Sequence, residues 1–148
     1  MTPYLTEETL GIYLHAGAVF KMVDDSFNSS EPHFFVVLNV DPAADRYLLL
    51  ACATSRVDKC RERIAKMQLP DETFERVSQL EYSTFTKETA FDCNDIHPYT
   101  KEQFLARVRQ GGIEVKADMA EDIVERLRAG SLASPRVERK YKKQLRAS

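Results

Sequence analysis

Two adjacent runs of branched and aromatic residues, 33–40 (HFFVVLNV) and 46–53 (RYLLLACA), separated by the segment 41–45 (DPAAD), constrain the fold more than any other part of this chain. Branched and aromatic side chains suit a pleated surface, and Pro and Asp between them suit a turn, so the runs predict a β-hairpin. Neither run alternates polar with apolar residues, which says that both strands are largely buried. The second strand delivers Thr54, Ser55 and Arg56 at its exit. Two hydroxyls and a cation at the end of a buried element are a place to look for chemistry.

Other elements follow around the hairpin. Thr6 to Leu14 has the pattern of a capped helical turn closed by Gly17, and 18–23 (AVFKMV) predicts a strand. The segment 24–32, with Asn28, Ser29 and Ser30 at its middle, is polar and rich in turn formers, and predicts a loop. Beyond Ser55, the residues Val57, Cys60, Ile64 and Met67 recur near one helical face, so 56–68 predicts a helix broken at Pro70. Segments 74–82 and 86–93 alternate as strands do, with 83–85 connecting them. Thr100 predicts the cap of a helix over 101–109 that Gly111 and Gly112 stop. A short strand at 113–115, a helix over 117–128 ending at Gly130, and a last helix capped by Ser134 with Pro135 at its first position complete the order. Strands come mostly first and helices mostly last, with no repeat or linker. The expectation is one α+β domain over 1–148, its sheet largely antiparallel, with a helical tail from 117 to 148.

Composition narrows the function classes. No stretch approaches the roughly 18 to 20 apolar residues of a membrane span, and the first twenty residues lack the pattern of a secretory signal, which makes a cytoplasmic protein the expectation. Cys52, Cys60 and Cys93 are odd in number, have no C-x-x-C spacing and are accompanied only by His15, His33 and His97. That pattern argues against a disulfide framework, a metal site or a metal cofactor. The formal charge of −2 hides a gradient, from −5 over residues 1–52 to +5 over residues 101–148. Its positive end gathers Arg136, Arg139, Lys140, Lys142, Lys143 and Arg146 against Glu138 alone. Such a tail suits phosphates or an acidic partner, although basic residues also complement the C-terminal end of a helix dipole.

No phosphate-binding glycine loop, dinucleotide fingerprint, nucleophile elbow or zinc-protease motif is present. What remains is the hydroxyls and cations around Thr54, the loop before His33 and the block 85–92 (FTKETAFD). RNA cleavage by attack of the 2′-hydroxyl requires a base, an acid and cations for the phosphorane, and Thr, Ser, Arg, Lys and His supply these without a metal. Blander readings stand beside this one. Thr54 and Ser55 suit the cap of the following helix, His33 a surface position at a strand start, and Lys87 with Glu88 a solvated turn. Phe34, Phe35, Phe74, Phe85 and Phe91 suit the core better than base stacking, and Arg107, Arg109, Arg126 and Arg128 suit helix ends.

In their order, 17–20 (GAVF), a polar loop, Pro32 leading into 35–38 (FVVL), a strand closing on Ala53, Thr54 and Ser55, and then 89–93 (TAFDC) before a helical tail resemble the PemK/MazF toxin family. The resemblance spans roughly residues 17 to 130. It implies a small SH3-like, mostly antiparallel β-barrel over roughly 17–116, with an N-terminal helical turn, an inserted helix and C-terminal helices. It also implies a bacterial endoribonuclease toxin that acts on RNA, a cognate antitoxin partner and a homodimer. Carried over by position, the family's opening Gly-Asp falls on Gly17 and Ala18, its Arg-Pro on Glu31 and Pro32, its Thr-Ser on Thr54 and Ser55, and its later Asp-Gln near Asn94 and Asp95. Glu31 thus stands where the family has a phosphate-binding arginine, and Ala18 where it has an aspartate. The site implied here has Thr54, Ser55 and His33 as catalytic groups and Arg56, Lys59 and Lys21 as RNA-binding cations. The alternative is a non-catalytic barrel that holds a protein or nucleic acid.

Overall fold

The computed structural model describes residues 3–24 and 31–146. The middle of the predicted polar loop, Asn28 to Ser30 included, lies outside the described residues. Among them the order is α1 (Leu10–Tyr13), β1 (Val19–Met22), β2 (His33–Val37), β3 (Tyr47–Thr54), α2 (Val57–Lys66), β4 (Phe74–Val77), β5 (Thr89–Thr100), α3 (Lys101–Gln110), β6 (Glu114–Lys116), α4 (Glu121–Ala133) and α5 (Arg139–Leu145). This is an α+β fold on one six-stranded sheet, ordered β4-β5-β3-β2-β1-β6, in which every neighbouring pair is antiparallel.

The predicted hairpin is the centre of that sheet, with Phe35, Val36 and Val37 opposite Cys52, Ala51 and Leu50. Because side chains alternate across a strand, the unbroken apolar runs feed two cores. On one face Val36, Leu38, Leu49 and Ala51 pack with Ile123, Val124 and Leu127 of α4. On the other, Phe35, Val37, Leu48 and Leu50 pack with Phe104 and Val108 of α3. Asn39 ties the turn between the strands: its amide donates to Tyr47 O and Asp45, and its oxygen accepts from Leu49 N at 2.7 Å. Among the described residues β4 and β6 share no ladder, but the sheet curls far enough that the Tyr82 hydroxyl, beyond β4, donates to Ala117 O, beyond β6, at 2.6 Å.

Several boundaries differ from those expected. β5 runs on to Thr100 through Pro98, which pairs with Leu49. Leu49 turns its N–H and C=O toward the β2 side, onto Asn39 and Leu38, so the pair with Pro98 needs no ladder bond and the missing N–H costs nothing. Strand β4 is only four residues long. Thr100 does cap α3, in a reciprocal box with Gln103, and Gly111 and Gly112 follow it at φ of 80° and 81°. Gly130 does not end α4. It lies inside the helix because a Cβ there would sit 2.7 Å from Cys93 Sγ and 2.9 Å from Glu72 O. Ser134 is likewise the C-cap of α4 rather than the start of the last helix, which begins at Arg139, and its hydroxyl donates to buried Asn94 at 2.6 Å. A Gly130→Val variant is expected to lose about 1–3 kcal/mol by overpacking against backbone, read from the urea unfolding midpoint.

Arg126 and Arg128 fall inside α4, so the helix dipole does not explain them. Arg126 bridges Glu75 and Glu81. Arg128 is buried and donates to Leu38 O and Asn39 O of the hairpin.

Candidate nucleic-acid groove

Adjacent strands bring the site together. In the β1–β2 register Met22 lies opposite His33 and Lys21 opposite Phe34. The β2–β3 ladder ends at Phe35 and Cys52, and beyond it His33 and Thr54 line the same cavities. Thr54 is the last residue of β3 and pairs on its other side with Ala90 of β5. The chain then turns at Ser55 and Arg56 into α2, which packs Val57, Cys60 and Ile64 inward and keeps its cations outward.

These strand ends border a groove of about 820 Å³. Lys21, His33, Phe34, Thr54, Ser55 and Arg56 line it, together with Arg63 from α2 and Phe85, Thr86, Lys87 and Thr89 from the segment entering β5. Glu31 and Pro32 stand at the same groove. The structure therefore gathers five of the six predicted site residues. Lys59 is set apart, in a neighbouring hollow of about 290 Å³ shared with Ser55, Arg56 and Glu88. A smaller hollow of about 210 Å³ lies beyond Thr54, lined by Cys52, Asp92, Asp95 and His97, and His33, Thr54 and Arg63 border both cavities.

Neither Thr54 nor Ser55 caps α2, whose N-cap is Arg56 without a side-chain bond. Thr54 Oγ1 instead accepts from Arg56 N at 3.1 Å, which fixes the turn and leaves its own proton to donate. Arg63 is held by Asp92, its Nη2 donating to Oδ2 at 3.0 Å, and that carboxylate also accepts from Asn94 N and Nδ2. A guanidinium braced at one nitrogen keeps further donors for a ligand. Phe34 is half-buried and meets Phe85 edge to face at 5.3 Å, while Lys21 Nζ lies 5.3 Å from the centre of its ring. Phe35, Phe85 and Phe91 are core residues. Glu88 pairs with Arg76, so Lys87 and Glu88 are not an acid–base couple.

Among the described residues four cations, Lys21, Arg56, Lys87 and the Asp92-paired Arg63, and one carboxylate, Glu31, thus line a groove with an aromatic ring in its wall. A concavity of that charge concentrates anions, and the ring offers a stacking surface. Among the described residues no cluster of three His, Cys, Asp or Glu side chains could hold a metal ion, and no helix is long and apolar enough to cross a membrane.

Burial disfavours the thiolate at all three cysteines. Burial, reinforced by Asp95 and Asp24, pushes Cys52 up to about 12, and burial with Asp92 pushes Cys60 up to about 11. Burial raises Cys93 as well. The folded state prefers the protonated thiol, so this contribution is complete below the unfolded thiol pKa and is lost as pH rises through the folded values. Stability is expected to fall between about pH 9 and 12, by up to about 1.4 kcal/mol per thiol per pH unit. Urea midpoints across that range, compared with a Cys52→Ala variant whose decline is shallower, check it.

Arg63 and Lys87 escape a reading that looks for hydroxyls at a strand exit. A signal for Arg63 was present: it follows Arg56 by seven residues, two helical turns later on the same face. Lys87 lies in the block 85–92 that the sequence marks as a candidate, and the folding of segment 78–88 over the sheet brings it to the groove. No protein-family model matches the chain, and no curated protein matches it.

Proposed function

We propose that the groove is a single-stranded RNA site and that the protein is a PemK/MazF-like endoribonuclease working without a metal ion. The observation that carries this reading is the convergence of Lys21, Arg56, Arg63 and Lys87 with the Thr54 and Ser55 hydroxyls, the His33 imidazole and the Phe34 ring on one groove. Cations hold the phosphates, the ring takes a base, and the imidazole moves a proton.

In the cleavage step His33 takes the proton of the 2′-hydroxyl, and that oxygen attacks phosphorus. The P–O5′ bond breaks and the departing 5′ oxygen takes a proton from solvent, leaving a 2′,3′-cyclic phosphate and a 5′-hydroxyl. Arg56 and Arg63 neutralise the phosphorane, Thr54 and Ser55 donate to its non-bridging oxygens, and Lys21 holds a flanking phosphate. Lys59, in the adjoining hollow, meets the strand outside the reacting phosphate. Where the family has an arginine, this chain has Glu31, and the guanidinium comes instead from the inserted helix as Arg63. A cognate antitoxin and a homodimer belong to the same reading.

Glu31 favours a second reading, since a carboxylate at the groove opposes a bound phosphate: an interaction module that holds RNA or a protein without cutting. Incubation of the purified protein with mixed-sequence RNA in EDTA separates the two. The enzyme reading expects cleavage that Thr54→Ala and Arg56→Ala each reduce at least about tenfold. RNA bound but left intact by folded protein favours the module.

A further inference from the structure

A second basic surface lies away from the groove, on α5. Tyr141, Gln144 and Leu145, at helical spacing, dock this helix on the fold. The Tyr141 ring meets Tyr47 edge to face at 5.3 Å, Gln144 exchanges hydrogen bonds with the Tyr47 backbone, and Leu145 is buried in the core beneath α4. Arg139, Lys142 and Lys143 recur at i, i+3 and i+4 and so share a face away from the docked one, with Lys142 half-buried, and Arg146 follows as the exposed C-cap. With Val137 they line a hollow of about 460 Å³, and among the described residues no carboxylate lines it.

Among the described residues none of the four cations forms an ion pair, whereas Lys140, between them in sequence, is occupied by Glu138 and by the Tyr47 and Tyr141 rings. Charges are left unpaired on the outer face and are paired on the docked one. α5 sits at Tyr47, the start of β3, and the groove at Thr54, its end. Seven strand steps put them roughly 23 Å apart.

We infer that this face of α5 is a second nucleic-acid contact, binding phosphates without regard to sequence. A stable protein interface needs an apolar centre, and among the described residues the one apolar side chain lining this hollow, Val137, is itself buried. From Arg139 to Arg146 the stripe is about 10 Å long, a distance over which one strand of a duplex carries about three phosphates. The inference does not depend on cleavage in the groove.

The test uses a fluorescent single-stranded DNA oligonucleotide, which has no 2′-hydroxyl and cannot be cut by the proposed route. Binding is measured by anisotropy from about 50 to 200 mM salt. Four neutralised contacts reduce the steepness of log K against log salt by about 3 in the quadruple variant Arg139→Gln, Lys142→Gln, Lys143→Gln, Arg146→Gln, with affinity at 50 mM salt falling at least tenfold. Circular dichroism and the urea midpoint confirm that this variant is folded, since none of the four side chains is in the docked face. A parallel variant with Lys21→Gln, Arg56→Gln and Arg63→Gln keeps the tail's share of the slope, which separates this inference from the proposal for the groove. A folded quadruple variant with unchanged slope and affinity overturns it, as does polyglutamate of equal charge displacing the oligonucleotide as well as a second oligonucleotide does.

Discussion

Replacing His33 by Ala is expected to lower the rate of RNA cleavage by about 10²- to 10⁴-fold, the range over which a positioned base acts. His33 starts β2 and borders, with Thr54, both the groove and the hollow beyond it. It is half-buried and outside both main cores. The loss therefore falls on kcat, while binding of a DNA oligonucleotide changes less than about threefold. Comparable loss of DNA binding would move His33 from proton transfer to simple contact.

The second large effect concerns the fold. An Arg128→Met variant is expected to lose about 3–5 kcal/mol, a large part of the roughly 5–15 kcal/mol that a domain possesses. Arg128 is 5% exposed, and its Nε and Nη2 donate to Leu38 O and Asn39 O at 2.5 and 3.2 Å. The methionine fills the volume but leaves both carbonyls buried without these donors, and the cost of each unmade bond is about 1–3 kcal/mol. Glu125, the carboxylate paired with Arg128, is on the exposed side, so Glu125→Gln costs below about 1 kcal/mol. Urea unfolding of the two variants compares them directly, and a small loss for Arg128→Met would show that the hairpin does not depend on α4.

The difference between these residues marks what can be read from a sequence. The hairpin was legible because an unbroken apolar run admits few placements other than between two cores, and the central strands are so placed. The α3 cap was legible because Thr100 and Gln103 act over three residues. Arg128 was not: helix-end reasoning covers any arginine near a predicted terminus, and its true partners lie about 90 residues away in sequence. Gly130 misled for a related reason, since a glycine excluded from carrying a Cβ by a neighbouring strand looks the same as one that ends a helix. In the groove, His33, Thr54, Ser55 and Arg56 follow from one hairpin, and Lys21 from the strand paired with it. Arg63 and Lys87 depend on how a helix and an eleven-residue connection fold across the sheet edge.

Those two cations bear most on the proposed role of the groove, because under that proposal Arg63 supplies the guanidinium for which position 31 offers only a carboxylate. The chemistry of the cut ends tests this account most directly. RNA treated with the wild-type protein in EDTA is expected to yield fragments ending in 2′,3′-cyclic phosphate and beginning with 5′-hydroxyl, and Arg63→Ala to yield at least about tenfold fewer of them. Intact RNA, or fragments with 3′-hydroxyl and 5′-phosphate ends, would contradict the account.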